Sequence, residues 1–545
     1  MRSFHVLRTA TLFSTLLLLF THCIHSSQTD RYDTIIENAR VLDGSGNPWF
    51  YGEIAILNGQ IAAIGGRGSL QSATADERID AEGRVASPGF IDVHSHTGGA
   101  LTDSTLRTAI PLSAQGITTV IVNPDGGGPV DLAEQRARLE AGGLGVHVAQ
   151  MIPHGSLRRH VIGLEDRDAT TEELNTMKSL VREAMEAGAV GLSSGLFYAP
   201  GSFAPTEELI ELARVVAEFN GVYQSHIRDE SDYTIGVVAA VEEVIRIAEE
   251  SGATGVVSHI KVLGPNVWGK SETLVQTLRE ARERGVDVVA DQYPYNASAT
   301  SLSAALIPRW ALEGGGEDFR KRLENRETRQ RIREEAVVNL ARRGGAERIS
   351  IRNSQAFPVY EALNLQEIAL DLEMHPVDAA LHLLEKSSPG IISFNMQEED
   401  IETLMRQPFT MTSSDGGLVA MGEGVPHPRN NGTFARKIAR YVFERESVTL
   451  EEAIRAGTSL PAQSHHLRDR GLLRPGYRAD LLIFDPQHVR DHATFTDPHR
   501  LSTGFDDVMV NGEWVRRNGE PTGKLPGYVL TRTTRFPGLQ TSTHP

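Results

Sequence analysis

At 545 residues, with 40% hydrophobic and 23% charged side chains, the chain holds enough apolar material for one large domain and a smaller one. Its 54 Lys plus Arg against 71 Asp plus Glu give a formal charge of -17, which argues against nucleic acid and against a polybasic membrane surface. A single cysteine excludes an internal disulfide.

Residues 1–27 read as an export signal: Arg2 and Arg8, an apolar run from Ala10 to Phe20, then polar Thr21-His22-Cys23. That run is too short to cross a bilayer, which takes roughly 20 helical residues. The mature chain is therefore expected outside the cytoplasm, periplasmic or extracellular, with no transmembrane helix. Cys23 stands where a lipid-modified cysteine would, although His22 departs from the small residue usual before it. A lipid anchor at Cys23 stays an open expectation, and removal of the signal after it would leave no thiol in the mature protein.

Residues 28–86 contain short strand-like pieces, Thr34-Ile35-Ile36 and Ile54-Ala55-Ile56-Leu57, punctuated by Asn58-Gly59 and Gly65-Gly66. Residues 476–545 offer similar strands at Arg478 to Asp485 and Asp507 to Val515, with an Asn511-Gly512 turn in the second. These terminal regions are expected to form one small β-sandwich. Between them, over residues 87–475, β-branched runs alternate with helical stretches: Gly116 to Val122, helix Asp131 to Ala141, Val146 to Ile152, helix Thr171 to Ala187, and onward to Gly255 to His259. Repeated βα units predict an α/β fold with a closed (β/α)8 TIM-like barrel. A charge-dense stretch near 313–345, bounded by glycines, reads as a solvated helical insertion beside the barrel, with a lid as the other reading.

Barrel sites lie at strand C-terminal ends. Those ends carry His94 and His96, Asp125 in Asn123-Pro-Asp-Gly126, His226, His259, and Asp415 before Gly416-Gly417. His94 and His96 alternate, so a strand would present both imidazoles on one face. Imidazole and carboxylate donors without thiolate suit a borderline divalent ion such as zinc, and this set can hold one or two. Taken singly, each histidine fits a satisfied core position better than a ligand's, and Asp125 or Asp415 fits a turn or helix cap; as a set in this order they read as ligands.

The motifs Ser87-Pro-Gly-Phe-Ile-Asp-Val-His-Ser-His96, Gly195-Leu-Phe-Tyr-Ala-Pro-Gly201, Ser225-His-Ile-Arg-Asp-Glu230, Ser258-His-Ile-Lys261, Asp291-Gln-Tyr-Pro-Tyr295, Ser414-Asp-Gly416 and His427-Pro-Arg429 occur in that order. Together they resemble the amidohydrolase superfamily, and within it the N-acyl-D-amino-acid deacylases. The resemblance implies His94, His96 and Asp415 around one metal position and His226 with His259 at the other. There the resemblance puts Asp125 in the place of the family's cysteine. No lysine in Gly191 to Gly195 supports the carbamylated bridge of dihydroorotase-like relatives. It also implies that Lys261 and Tyr293 receive the substrate carboxylate, that Tyr198 sits near the amide oxygen, and that Arg429 assists. His154 and His427 are left off the ligand set.

The expected chemistry is amide hydrolysis of an N-acyl-D-amino acid to a carboxylate and a free D-amino acid. The ion activates water and polarises the carbonyl, while Asp415 takes the water's proton and returns it to the leaving nitrogen. A relative selective for acidic side chains is expected to place an arginine after Tyr293-Pro-Tyr295; Asn296 to Pro308 has none, so an acidic side chain is not anticipated. Two alternatives remain: a dipeptidase or cyclic-amide hydrolase acting on small peptides, and a non-catalytic barrel that binds small molecules.

Overall fold

The computed structural model describes residues 31–531, so the segment 1–27 expected to direct export, with Cys23, lies outside the described residues. Strands β1 (Arg31–Val41), β2 (Phe50–Leu57), β3 (Gln60–Gly66), β4 (Thr74–Asp80) and β5 (Val85–Pro88) open the fold. The β2–β3 turn uses Asn58 at φ 52° and Gly59 at φ 74°, the two left-handed residues a tight hairpin requires.

The barrel begins with β6 (Phe90–Ser95), β7 (Ile117–Val122), β8 (His147–Pro153), β9 (Gly191–Gly195), β10 (Val222–His226), β11 (Thr254–Val257) and β12 (Val288–Gln292). Every residue of these strands is buried, as parallel strands covered by helices must be. The covering helices, among them Thr171–Glu186, Thr206–Ala217 and Val237–Ser251, turn Met177, Val181, Leu209, Leu212, Val241 and Val244 into a core shared with Val256 and Ile152. Thr170 and Glu173 form a capping box that starts the first of them, and Gly252 in the left-handed conformation ends the third.

After β12 the chain leaves the barrel. Strands β13 (Ser298–Ser301), β14 (Ile349–Asn353) and β15 (Gly390–Ser393) make a separate antiparallel sheet. Its helices and strands enclose a core of their own, including Leu302, Phe319, Ile332, Leu365, Leu381 and Ile391. The charged helices Gly316–Glu324 and Arg326–Arg342 lie where the sequence suggested an insertion, yet they are only the outer part of a unit reaching from about Ser298 to Ser393. Charge density marks the wet helices; the apolar remainder reads as more barrel.

Strand β16 (Thr410–Thr412) then returns beside β12, completing an eight-stranded parallel sheet. Closure onto β6 comes from two backbone hydrogen bonds, Asp415 N to His94 O at 2.9 Å and His96 N to Gly416 O at 2.8 Å. The seam of the barrel is thus made by the residues expected to do its chemistry.

Strands β17 (Leu481–Phe484), β18 (Asp507–Val510), β19 (Glu513–Arg517) and β20 (Glu520–Pro521) join the N-terminal strands in one nine-stranded sheet through β17–β5 pairing. Ile36, Ile54 and Ile61 from one end of the chain pack with Leu481, Ile483 and Met509 from the other. The Asn511-Gly512 turn sits directly on the Asn58-Gly59 turn: a Cβ on Gly512 would come within 2.6 Å of Gly59 Cα. The small β domain is therefore built from both termini.

Candidate active site

Two ligand groups meet at the barrel mouth. His94, His96, Asp125 and Asp415 form one, and Asp125, His226 and His259 the other, with the donor atoms of each within 4.8 Å of one another. Asp125 belongs to both. Its Oδ1 lies 3.2 Å from His94 Nε2 and 3.5 Å from His259 Nε2, while its Oδ2 lies 3.5 Å from His96 Nε2 and 3.8 Å from His226 Nδ1. His96 Nε2 also stands 3.1 Å from Asp415 Oδ1.

Local backbone geometry aims these groups. Asp125, His259 and Asp415 have φ of 56°, 34° and 47°, a left-handed conformation unusual for side chains and concentrated where function demands it. Gly126 and Gly416 follow the two aspartates, giving the chain room to turn back.

Supporting residues hold the imidazoles. Gln224 Nε2 lies 3.3 Å from His94 Nδ1 and donates to Asp291 Oδ2 at 3.2 Å; Asp291 Oδ1 accepts from His259 N at 2.9 Å. Buried Asp92 accepts from Ser414 N at 2.8 Å, linking β6 to the Asp415 loop, and burial raises its carboxyl to about 6. Glu230 approaches His259 Nδ1 at 3.1 Å and His226 Nε2 at 3.7 Å, and pairs with Lys261. Sequence reasoning missed Gln224, Asp92, Asp291 and Glu230 in these roles. Their type was visible, since Asp291 and Glu230 stand inside quoted motifs, but their partners are remote in the chain.

The charge balance is that of a cation site. Partial desolvation opposes charge on His96, whose side chain is 41% exposed at the mouth, yet Asp125 and Asp415 bring its imidazole up to about 9. Burial and Lys261 likewise depress His259, but Asp125 and Asp415 carry it to about 10. Burial works against the Asp415 carboxylate, and Arg429 with the histidines overrides it, holding the group far below the usual range. Protons thus balance the carboxylates where an ion would displace them. His94 Nε2, Asp125 Oδ1 and both His226 nitrogens are buried and make no hydrogen bond, an arrangement costly without an occupant. The residues present fit one or two divalent ions with nitrogen and oxygen ligands.

Above these groups opens a cavity of about 1140 Å³, lined by His96, Asp125, Tyr198, Lys261, Tyr293 and Arg429 and walled by the insertion. Tyr198 lies 4.7 Å from the His226 ring, with its hydroxyl 3.2 Å from Thr300 Oγ1. Arg429 Nη1 is 2.7 Å from Asp415 Oδ2 and its guanidinium lies over the Tyr293 ring at 4.6 Å. His427 donates or accepts at both nitrogens, to Ala297 O at 3.0 Å and from Arg429 N at 3.0 Å, and so braces the arginine. His154 is likewise held, 2.8 Å from Glu208.

Residues 77–516 match the family model described as "Amidohydrolase family". The chain belongs to the amidohydrolase family. This amidohydrolase is 34% identical over 535 residues to an N-acyl-D-glutamate deacylase of Alcaligenes xylosoxydans xylosoxydans, with 93% of this chain and 98% of the relative covered. A D-aminoacylase of the same organism is 33% identical, covering 93% and 99% of the two chains. Among solved structures, an N-acyl-D-glutamate deacylase from Bordetella bronchiseptica, described as complexed with zinc and a phosphonate inhibitor, superposes with TM-score 0.77 at 33% identity. It matches 92% of this amidohydrolase and 100% of that chain. A D-aminoacylase crystal structure superposes at 0.78 with 31% identity, over the same shares.

Proposed function

We propose that this amidohydrolase cleaves the amide bond of N-acyl-D-amino acids, releasing a carboxylate and a free D-amino acid, with zinc as the resident ion. The observation that carries this reading is the set of unpartnered imidazole and carboxylate atoms around Asp125, placed beneath a cavity that also holds Lys261, Tyr293 and Arg429. Relatives matched over nearly their whole length are named for this reaction.

His94, His96 and Asp415 would hold one ion and His226 with His259 the other, Asp125 serving both. When bound, such an ion polarises an amide carbonyl and makes a nucleophilic water available near neutral pH. The rest is done by the chain. Asp415, at the mouth beside His96, accepts the water's proton and delivers it to the departing nitrogen, which must be protonated to leave. Its Arg429 partner stands ready for the substrate's α-carboxylate, and transfer of the guanidinium to that group would free Asp415 Oδ2 for the proton. Lys261 and Tyr293 would flank the same carboxylate, and the Tyr198 hydroxyl, now 3.2 Å from Thr300 Oγ1, would serve the amide oxygen. The proposed setting is outside the cytoplasm, from the 1–27 segment, with Cys23 as a candidate anchor; among the described residues no helix is long and apolar enough to cross a membrane.

The test is a matched panel of N-acetyl-D- and N-acetyl-L-amino acids with small dipeptides, offered to zinc-loaded mature protein. Turnover confined to the D series supports the assignment. Turnover of dipeptides with silence on acyl amino acids moves it to a peptidase of the same fold.

A further inference from the structure

We infer that Arg352 is a receptor for a second substrate carboxylate, making this site selective for N-acyl derivatives of acidic D-amino acids. The inference rests on the hydrolase reading above and goes beyond it to the substrate's side chain. Among the described residues, four lysine and arginine side chains line the cavity beside the histidines: Lys261, Arg343, Arg352 and Arg429. Three are engaged. Lys261 pairs with Glu230, Arg429 with Asp415, and Arg343 Nε donates to the Tyr233 hydroxyl at 2.8 Å. Among the described residues, the Arg352 side chain has neither an ion pair nor a hydrogen bond, and its Nε is buried without a partner. Arg352 is half-buried: its Nε is cut off from water with no acceptor, a cost that a ligand oxygen at the cavity could offset.

The backbone is built to present it. Along β14, Ile351 pairs with Ile391 and Asn353 with Gly390, so Arg352 is the extra residue of a β-bulge. A bulge leaves one residue out of the ladder and re-aims its side chain, here toward a cavity shared with His96, Asp125 and Asp415. The facing position is Gly390, where a Cβ would stand 3.0 Å from Arg352 Nε and 3.1 Å from its Nη2. Any larger residue there would crowd the guanidinium. Arg352 O also accepts from Val425 N at 3.0 Å, fastening the bulge to the loop that follows Asp415. Burial and the neighbouring Arg429 both press the guanidinium toward losing its charge, and Asp415 offsets them only in part. An arriving anion would relieve that pressure. On the reading above, Arg429 exchanges Asp415 for the α-carboxylate with Lys261 and Tyr293 beside it, which leaves Arg352, the lysine or arginine of this lining with no ion pair or side-chain hydrogen bond among the described residues, for a side-chain carboxylate. The absence of arginine from Asn296 to Pro308 does not remove such a receptor; the insertion's own strand supplies one.

The experiment compares kcat/KM for N-acetyl-D-glutamate and N-acetyl-D-aspartate with their amide counterparts, N-acetyl-D-glutamine and N-acetyl-D-asparagine. It uses the zinc-loaded enzyme and its Arg352→Gln and Arg352→Lys variants, with thermal melts to confirm folding. The acid-to-amide ratio should exceed one by about 10–100-fold in the native enzyme, collapse toward one in Arg352→Gln, and recover in part in Arg352→Lys. A native ratio near one, or equal loss on acids and amides in Arg352→Gln, overturns the inference; equal loss would assign Arg352 to the α-carboxylate. Should Arg352→Gln not fold, the native ratio and Arg352→Lys still decide. Calorimetric binding of D-glutamate against D-glutamine to native and variant protein separates the two readings. If no N-acyl-D-amino acid is hydrolysed, the proposed function fails, while glutamate selectivity that depends on Arg352 would still uphold this inference and its absence would overturn it.

Discussion

At the C-terminal end of the barrel strands, His94, His226 and Asp125 carry buried polar atoms that no neighbour satisfies; at the opposite end, the same residue types are completely partnered. There His147, the first residue of β8, has Nε2 3.1 Å from Asp480 Oδ1, and its Nδ1 accepts from Tyr528 N at 3.4 Å. Asp480 also accepts from Asn511 N at 2.7 Å and Arg470 at 3.2 Å. This lower cluster fastens the barrel to the β domain. A buried His–Asp pair is therefore not evidence of a metal by itself. What distinguishes the upper cluster is that His94 Nε2, Asp125 Oδ1 and both His226 nitrogens converge buried and without a hydrogen bond, whereas the lower cluster closes on itself.

The sharpest way to break this comparison is Asp415→Asn. It keeps size and removes the proton acceptor, so kcat/KM on the preferred substrate should fall by about 10²–10⁴, a loss larger than the lowered melting temperature expected from leaving buried Arg429 without its anion can explain, since the folded fraction is measured alongside. Retained turnover would mean that another group moves the proton.

Asp125→Asn should come next. Only Asp125 belongs to both ligand groups, so its loss should strip most of the metal on dialysis, read by elemental analysis without reference to activity. Asp125→Cys should keep metal but move preference toward softer ions such as cadmium over manganese, because thiolate favours them and carboxylate does not. Unchanged metal content in Asp125→Asn would reduce Asp125 to a turn residue.

The lower cluster predicts the opposite pattern. Asp480→Asn leaves Arg470 and His147 without their shared anion in a buried setting, a loss of about 3–5 kcal/mol, seen as a lower melting temperature. Metal bound per folded molecule should not change. If Asp480→Asn instead lost metal at constant stability, the division between the two ends would be wrong.

How much of this was legible in the chain depends on how far each interaction reaches. His94, His96, His226, His259 and Asp415 could be placed because each ends a β-branched run, and a parallel barrel brings all such ends to one mouth. The hairpins at Asn58-Gly59 and Asn511-Gly512 were equally plain, since left-handed turns select those residues. Gln224 was not legible as the support of His94, 130 positions away, because nothing local distinguishes it from any buried polar residue. Arg352 was hidden for another reason. Its position depends on a bulge against Gly390 in a sheet whose three strands are separated by long helical stretches, so neither periodicity nor charge density reveals it. The insertion's extent was misjudged for the same reason: its charged helices stand out, and its apolar core does not.

Lys437 represents a third kind of buried charge, neither poised for a ligand nor closed in a cluster. It is 5% exposed in the helical segment Lys437–Glu444, and burial drags its ammonium down to about 7, with Glu452 offsetting only part of that pull. The folded value lies below the unfolded value of about 10.5, so between those limits the unfolded chain holds more protons. Stability contributed by this group therefore rises with pH across that window, and at neutral pH the folded state bears the cost of holding this amine where its charged form is disfavoured. Lys437→Met should stabilise the protein by roughly 2 kcal/mol near pH 7, and the gain should shrink steadily as pH approaches 10. Melting curves of both proteins across that range decide the matter. A difference independent of pH would mean that the methionine acts through packing alone and that the ammonium finds solvent. A difference that fades on the alkaline side would identify Lys437 as a charge the fold tolerates without using, the contrast that gives meaning to the unpartnered atoms around Asp125.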